Sequence, residues 1–445
     1  MLPVTMADCE GEMHMKLKVT AVGDMLVQRR IPHDSDGFAE VKAFIERGDA
    51  RFVNLETTLH YGQFWGNQFC GGSYLRADPS VLEDVRAYGF NMLSFTNNHT
   101  LDYDRGGLMA TKQAVDAAGF VNTGAGANLD EASAPAYLDT AHGLVAMISA
   151  ASTMGGEAAM AGRQSRRIMG RPGVNALRFD EHLQVTEAQL KVIREIAEKS
   201  RVNAQMDIER AEGYHPPLPQ GMAMLNKLLF KVGDETRYVT HPNKDDMARV
   251  EKAIYEAQMQ ADLIFVSIHS HQIAGDKKEN PADFLQEFAR KCIDAGAHAV
   301  IGHGPHLLRP IEIYKDRPIF YSLGDFVIHN ECIPFAPEDM FNKQHLTSDN
   351  TMRELFCDRS ANYTRGLMRD HRMLESVIPY FEMEDGKLTH LELMPIELNF
   401  GKKVWQSGNP RFSKEHGIIE RLAEMSRAYG CEIAVDERGF GIVKL

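Results

Sequence analysis

Short polar clusters able to bind metal ions follow several apolar, strand-like runs of this chain. They are Gly23-Asp24, Asn54-Leu55-Glu56, Thr96-Asn97-Asn98-His99, His269-Ser270-His271 and Gly302-His303-Gly304-Pro305-His306. Ligands of open α/β sheets bind beyond the carboxyl ends of the strands, so we expect these side chains to meet at one rim. Mixed oxygen and imidazole donors suit divalent transition metals, and a shared carboxylate suits two adjacent ions. The clusters therefore predict a metal-dependent enzyme.

The first three clusters also have ordinary structural explanations. Asp24 could cap a loop, and Glu56 could be a solvated loop acid. Asn97-Asn98-His99 could form a hydrogen-bonded turn, since asparagine favours turns. Strand alternation nevertheless places Asn54 and Glu56 on one side, where a carboxylate could bridge two metal ions. The histidine could act as an acid or a base because its pKa lies near neutrality.

The two histidine pairs strengthen the metal hypothesis. A lone histidine at the end of a strand is more often a structural residue, but here His269 with His271 and His303 with His306 form two pairs. Alternation aligns the members of the first pair. The chain has no G-x-S-x-G motif, and its glycine loop at Gly124 lacks the P-loop pattern. The sequence thus favours metal-assisted chemistry over a serine nucleophile or a nucleotide site.

A basic loop is the candidate substrate-binding segment. It contains Arg163, Arg166, Arg167 and Arg171, and the guanidinium fork suits carboxylate or phosphate groups. Asn97 is a further candidate for substrate contact. The alternative for the arginines is a solvated basic loop, which is what most runs of like charge are.

Composition limits the class of protein. The 445 residues carry a net charge of -13, with 44% apolar and 25% charged residues, which is typical of a soluble globular chain without a bulk affinity for nucleic acid. The six cysteines are scattered, and we expect neither a secretory leader nor a membrane-spanning run. We therefore expect a cytoplasmic protein with no nucleic-acid or membrane partner, in which an anionic substrate would need a local basic pocket. The sequence leaves open whether the protein is a monomer or a homo-oligomer.

The elements that must position the clusters alternate between strand and helix, which predicts an α/β fold with a largely parallel sheet. The alternation stops near Met154, and the following stretch shows one clear helix, which begins at a capping box of Thr186 and Gln189. The predicted organisation is a tail at 1–16, a core at 17–153, an inserted cap or lid at 154–241, a second core part at 242–330, an irregular excursion at 331–375, and a hairpin, helix and tail at 376–445.

In their order, these motifs resemble the CapA family, also called the poly-γ-glutamate capsule biosynthesis family (PGA_cap), which belongs with the calcineurin-like metallophosphoesterases. The family's recurring features are GD, NLE, ANNH followed by LD-x-G, GAG, HWG, GHHPH and YSLGNF. To the clusters above, the chain adds Leu101-Asp102, Thr123-Gly124-Ala125-Gly126, Ser267-Ile268-His269 and Tyr321-Ser322-Leu323-Gly324-Asp325-Phe326. The resemblance covers about residues 17–330, apart from the middle insertion.

The resemblance implies a four-layer αββα metallophosphoesterase-like sandwich with an inserted cap region and a site for two divalent ions, which could be Zn, Mn, Fe or Co. The implied metal ligands are Asp24, a bridging Glu56, Asn98, His269, and His303 or His306. The implied catalytic residues are His99, Asp24 and His271. In this scheme metal-activated water attacks the substrate, and His99 stabilises the oxyanion or protonates the leaving group.

Four departures from the family pattern bear on the site. His271 stands where HWG has glycine, and Gly304 stands where GHHPH has its middle histidine. The D-x-H of the phosphoesterases is here Asp24-Met25-Leu26, which removes one usual ligand. The first ion would then be either weakly held or supported by His271. The YSLGNF motif carries Asp325 in place of asparagine.

The resulting prediction is a soluble metal-dependent hydrolase that cleaves an amide bond, such as a γ-glutamyl bond, in a small or oligomeric carboxylated substrate. The preference for an amide rests on the family's association with polyglutamate. One alternative is a phosphomonoesterase or phosphodiesterase that uses the same ions. Another is a non-catalytic CapA-like protein that binds an anionic polymer or partner through the arginine loop.

Overall fold

A computed structural model describes residues 16–329, 332–366, 370–399, 402–403, 406–415 and 417–445 of the chain. Within these ranges the protein is mixed α/β, as predicted. All but the last residue of the predicted tail at 1–16 lies outside the described residues. The helices, numbered in chain order, are α1 (Phe38–Ile45), α2 (Val81–Ala87), α3 (Asp104–Ala117), α4 (Leu129–Ser133), α5 (Glu187–Ser200), α6 (Ala204–Ala211), α7 (Lys244–Gln258), α8 (Asp283–Asp294), α9 (Glu338–Asn342), α10 (Met352–Arg359) and α11 (Gly417–Arg427).

Most strands, also numbered in chain order, belong to two large sheets. In the described ranges the larger sheet contains β1 (Lys16–Leu26), β2 (Ala50–Leu55), β5 (Met92–Ser94), β6 (Val121–Thr123), β19 (Asp325–Ile328), β20 (Glu375–Glu384), β21 (Lys387–Glu397), β22 (Arg411–Phe412), β23 (Glu432–Val435) and β24 (Gly441–Lys444). The second contains β8 (Ala136–Thr140), β9 (Gly143–Ala151), β15 (Leu263–His269), β16 (Ala299–His303), β17 (Ile311–Tyr314) and β18 (Arg317–Phe320).

The remaining strands form smaller sheets. They are β3 (Thr58–Leu59) with β4 (Arg76–Ala77), β7 (Ala125–Gly126) with β10 (Gly173–Val174), and a sheet of β11 (Phe179–Val185), β12 (Met222–Leu225), β13 (Leu228–Val232) and β14 (Arg237–Pro242). Short 3-10 turns lie at Glu157–Ala159 and His371–Leu374.

The centres of both large sheets are parallel. The larger sheet runs β23-β24-β21-β20-β1-β2-β5-β6, and the second runs β17-β18-β16-β15-β9-β8. Strand β1 changes neighbour along its length: Lys16–Thr20 pairs with antiparallel β20, whereas Asp24–Leu26 pairs with parallel β19. The β20–β21 hairpin turns at Asp385-Gly386, where both residues have positive φ. The parallel strands direct their carboxyl ends towards one edge.

Three buried apolar clusters separate the helices and sheets. The first lies between one face of the larger sheet and α1, α2 and α3. The second lies between the two large sheets, with α11 at its margin. The third lies between the second sheet and helices α7 and α8. The two sheets therefore face each other, and helices cover their outer faces. Within the described ranges, the helices lack the combination of length and apolar composition that a membrane span requires.

The inserted region contains more regular structure than its sequence indicates. Besides α5, whose predicted capping box at Thr186 is present, it contains α6 and the β11–β14 sheet. These strands are partly exposed and lack clean alternation, which is why the sequence pattern misses them. Ring stacking of Phe179 on Phe284, with centroids 4.4 Å apart, attaches this sheet to α8. That the region at 154–241 acts as a lid over the strand ends stays a prediction.

Candidate metal centre

Strand register brings the predicted residues together. In the larger sheet, Asp24 pairs with Asn54 on one side and with Asp325 on the other. In the second sheet, His269 pairs with His303. The two sets meet where the sheets face each other, and the Gly304 backbone N–H donates to Asp24 Oδ2 across the gap at 2.7 Å. The pairing explains why residues far apart in sequence converge at one edge.

Glu56 lies at the middle of this convergence. It is fully buried, and neither carboxylate oxygen has a hydrogen-bond partner among the described residues. Burial raises its pKa well above the usual value, and the nearby Asp24 and Asp325 carboxylates raise it further. An unpaired buried carboxyl group is costly, and divalent cations are one of the few partners that satisfy both oxygens.

Three groups of side chains have donor atoms that all lie within 4.8 Å of one another. They are Asp24, Glu56, His306 and Asp325; Glu56, His269 and His271; and Asp24, His269 and His303. Glu56 is shared by the first two groups. This arrangement supports the predicted bridging role for Glu56.

The imidazoles converge with nitrogen facing nitrogen. His269 Nδ1 lies 3.0 Å from His303 Nδ1, and His269 Nε2 lies 3.1 Å from His271 Nε2. Asn98 Oδ1 is 2.6 Å from the same His269 Nε2. Burial lowers the pKa of His269 to about 4 and that of His271 well below its usual value, so both rings are neutral at pH 7. Neutral imidazole is the form that binds metals.

The carboxylates beside these rings differ in their electrostatics. Burial alone would raise the pKa of Asp24, but hydrogen bonds with His269 and His303 outweigh it and hold the pKa well below the usual value. Burial raises the pKa of Asp325 to about 6, although His306 Nδ1 lies 2.9 Å from its Oδ1. Burial opposes protonation of His306, but Asp325 outweighs burial and raises the pKa of the ring. The residues present thus have the donor types and unpaired atoms that fit divalent metal ions.

Two of the departures from the family pattern turn out to be complementary. Gly304 has φ of +122°, and a Cβ there would lie 2.9 Å from His271 Cδ2 and 3.0 Å from the Ser270 backbone nitrogen. A side chain at position 304 would therefore collide with the His271 imidazole. Gly304 thus replaces the middle histidine of GHHPH, and the space it leaves is taken by His271, the extra histidine in the HWG motif.

His99 faces the centre and is held from behind by a carboxylate. Its Nδ1 lies 2.7 Å from Asp102 Oδ2, and its Nε2 lies 3.7 Å from Glu56 Oε1. Asp102 also accepts from the backbone N–H groups of Gly71 and Leu75 at 2.9 and 2.8 Å. We assign the ring proton to Nδ1 on the basis of this partner, which directs the Nε2 lone pair towards the metal-ligand atoms.

Asn97, a predicted substrate-binding residue, lies directly beside this cluster: its Nδ2 is 3.4 Å from Asn54 Oδ1, and Asn54 Nδ2 donates to Asp24 Oδ1 at 2.6 Å. Asn97 is buried; its Nδ2 donates to the Leu55 carbonyl at 3.0 Å, and its Oδ1 accepts from the His99 backbone N–H at 3.0 Å. Both ends of the amide are thus used within the protein, and a substrate contact by Asn97 stays a prediction.

The arginine loop is exposed. Arg163 lies 3.5 Å from Asp130, Arg171 Nε donates to the Met160 carbonyl, and Arg166 and Arg167 are open to solvent. Among the described residues, no hydrogen bond or ion pair joins these four side chains to the metal-ligand cluster. Their role in binding substrate stays a prediction.

Sequence analysis missed two functional candidates. In the sequence, Asp325 stands out as a departure from the family motif but not as a ligand, although it lies shortly after the apolar end of strand β18 (Arg317–Phe320), much as the other clusters follow theirs. Asp102 was noted only as part of a motif. Its spacing of three residues from His99 was the available signal, and the turn between them brings the side chains together.

Comparison with known proteins gives a family match over the whole candidate centre. The family model for bacterial capsule synthesis protein PGA_cap matches residues 18–330. Two uncharacterised proteins of Sinorhizobium fredii are each 31% identical over 441 residues, covering 96% of this chain and 93% of theirs. Capsule biosynthesis protein CapA of Bacillus anthracis is 24% identical over 70% of this chain and 60% of its own length. A "Probable polyglutamine synthesis accessory protein" of Mycobacterium tuberculosis is 27% identical, over 74% and 67% respectively.

Proposed function

The chain belongs to the family of bacterial capsule synthesis proteins, PGA_cap, and we propose that within it this protein is a hydrolase dependent on two divalent metal ions. The observation that carries the proposal is the buried Glu56, whose two unpaired oxygens lie between one group of carboxylates and one of imidazoles. The ligands would be Asp24, Glu56, Asn98, His269, His303 and His306. When bound, two such ions act as Lewis acids and lower the pKa of water.

We also infer a metallophosphoesterase-like fold. Its support is the pair of facing sheets with helices on both outer faces. In such an arrangement the ligands come from strand ends of both sheets, so the centre depends on the packing between them. The regions at 154–241 and 331–375 would then shape access to the centre.

His99 is the proposed catalytic acid. Its Nδ1–H donates to Asp102, which fixes the ring orientation and leaves Nε2 facing the cluster. In amide hydrolysis the C–N bond breaks, a water oxygen bonds to the carbonyl carbon, and the leaving nitrogen takes a proton. Nε2 first takes the proton that the attacking water releases, and the resulting N–H can then stabilise the oxyanion or deliver that proton to the leaving nitrogen. Asp102 is a positioning residue.

The proposed substrate is a carboxylated molecule with an amide bond of the γ-glutamyl type. The support is that relatives are named for capsule and polyglutamine synthesis. Arginine side chains suit carboxylates, so the exposed arginines at 163, 166, 167 and 171 would bind the anionic part of such a substrate. The cytoplasmic location and the oligomeric state are further predictions from the sequence.

The test begins with metal content. Protein purified without chelators should contain about two ions per chain by inductively coupled plasma mass spectrometry, and Glu56→Ala and His303→Ala should lose both metal and activity. His142→Ala, at an exposed histidine outside the centre, is the matched control and should keep both. Hydrolysis of γ-glutamyl-p-nitroanilide is then compared with hydrolysis of p-nitrophenyl phosphate.

Three results would change the proposal. A faster reaction with the phosphate ester would replace the amide with a phosphoester as the bond cleaved. Loss of activity in Glu56→Ala with metal content unchanged would contradict the bridging role. Absence of metal, before and after reconstitution, would leave a non-catalytic protein that binds an anionic polymer or partner.

A further inference from the structure

The two groups that share Glu56 differ in ligand chemistry. The carboxylate position, defined as Asp24, Glu56, His306 and Asp325, offers three carboxylates and one imidazole. The histidine position, defined as Glu56, His269 and His271, offers two imidazoles and one carboxylate, and Asn98 Oδ1 lies 2.6 Å from His269 Nε2. Carboxylate-rich sites suit hard ions such as Mn²⁺, whereas imidazole-rich sites suit Zn²⁺.

Asp325 makes the carboxylate position distinctive. It is fully buried, and its Oδ2 has no hydrogen-bond partner among the described residues, while its Oδ1 lies 2.9 Å from His306 Nδ1. Parallel pairing sets it beside Asp24. An asparagine at this point would supply a neutral oxygen of similar shape. The carboxylate therefore changes the charge of the position without changing its geometry.

His271 makes the histidine position distinctive in the same way. Its ring occupies the space that Gly304 leaves open, and its Nε2 lies 3.1 Å from His269 Nε2. The Thr153 hydroxyl accepts from the His271 backbone N–H at 2.8 Å and fixes this segment. The extra imidazole thus belongs to one position only, just as Asp325 belongs to the other.

We propose that the centre is asymmetric: the carboxylate position selects Mn²⁺ through Asp325, the histidine position selects Zn²⁺ through His271, and the resting protein holds one ion of each kind. This inference rests on the proposed two-metal function. It assigns to Asp325 a direct ligand role and to His271 the role of the second imidazole.

The experiment is metal binding by the full chain. Apo-protein is titrated with Mn²⁺ and with Zn²⁺ by isothermal titration calorimetry, and bound Mn²⁺ is counted by electron paramagnetic resonance after one equivalent of each ion and gel filtration. The wild type should retain one Mn²⁺ and one Zn²⁺. Asp325→Asn should weaken Mn²⁺ binding at least tenfold and change the first Zn²⁺ affinity less than twofold. His271→Gln should do the reverse.

The controls separate this inference from the proposed function. Glu312→Gln, at a buried carboxylate paired with Arg290 and Tyr321 outside the centre, should leave both affinities unchanged. Circular dichroism checks that each variant is folded. If the wild type binds two ions but each variant lowers the affinities for Mn²⁺ and Zn²⁺ equally, the asymmetry is overturned and the proposed two-metal function stands. Failure of the wild type to bind either ion would overturn the proposed function as well.

Discussion

At the scale of single residues, this protein buries titratable groups whose burial is costly unless a partner side chain or a cation binds them. Glu56 and Asp325 carry buried oxygens with no hydrogen-bond partner among the described residues. Groups of this kind are destabilising when left alone, because burial removes their hydration. The apo-protein is therefore expected to be less stable than the metal-loaded protein, since any ligand that binds only the folded state stabilises it.

His329, outside the centre, is another titratable side chain whose charged form is disfavoured by burial. It is buried, its Nδ1 accepts from the Gln28 backbone N–H, and its Nε2 lies 2.8 Å from Asn409 Oδ1. Burial, reinforced by the nearby charge of Arg29, lowers its pKa to about 3. An ordinary histidine in the unfolded chain has a pKa of about 6.5. Between pH 3 and this value, the unfolded chain therefore binds a proton at His329 that the folded chain does not.

We expect acid to destabilise the apo-protein through His329. Its contribution is fully present above pH ~6.5 and is lost as the pH falls towards 3, at up to about 1.4 kcal/mol per pH unit. His329→Gln, which removes the titration, should reduce that slope. Urea unfolding between pH 7.5 and 4.5 measures it, with exposed His345→Asn as the control that leaves the slope unchanged. An identical slope in His329→Gln would show that this residue does not contribute.

At the scale of elements, the loop after β15 is fixed by hydrogen bonds from one buried side chain, Arg309. Arg309, which is fully buried, donates to the backbone carbonyls of Lys278, Ser270 and His271 at 3.0, 3.3 and 3.0 Å. Burial lowers its pKa to about 10, so it stays charged at pH 7. One guanidinium thus orders the segment after β15 that carries His271.

Arg309→Lys should loosen this segment. Lysine keeps the charge, but its point-like ammonium does not reproduce the planar fork that serves three carbonyls. Each buried acceptor left unpaired costs about 1–3 kcal/mol, so we expect a clear fall in thermal stability together with weaker Zn²⁺ binding. Thermal unfolding and calorimetry measure the two effects. Arg290→Lys, at a partly exposed arginine, is the matched control, and equal effects in both variants would argue against this role.

At the scale of the whole molecule, the centre depends on two sheets that pack face to face. Phe52 of the larger sheet and Phe265 of the second meet edge to face with ring centroids 5.6 Å apart, inside the apolar cluster between the sheets. Asp24 and Glu56 come from one sheet, whereas His269 and His303 come from the other. Packing between the sheets therefore sets the distance between the carboxylates and the imidazoles.

Phe265→Ala should lower the free energy of unfolding of the whole protein. Removing a fully buried phenyl ring costs about 3–5 kcal/mol, through lost burial and the cavity that remains. We expect a lower thermal unfolding temperature of the apo-protein by circular dichroism and weaker binding of both ions, because both positions use ligands from each sheet. Tyr255→Ala, at an exposed residue of α7, should change stability by less than about 0.5 kcal/mol. Unchanged stability in Phe265→Ala would contradict this account of the core.

The sequence by itself determined the α/β class and the candidate residues of the centre. Both follow from local signals: alternation of apolar runs with helices, and polar clusters placed directly after those runs. Parallel strands share one direction, so residues after consecutive strands are expected at one edge without knowledge of the strand order. The family resemblance added the implied ligand set, because the motifs keep their order along the chain even where single residues such as Asp325 differ.

Only the tertiary structure decided which of these residues share a position. Cross-strand register sets Asp325 beside Asp24, and packing of two sheets sets Glu56 between carboxylates and imidazoles. The space beside Gly304 decided where the His271 ring lies. The first two relations join residues hundreds of positions apart, and the third joins two different loops, so no local pattern encodes them. They follow from side-chain packing and strand pairing, which exist only once the whole chain has folded.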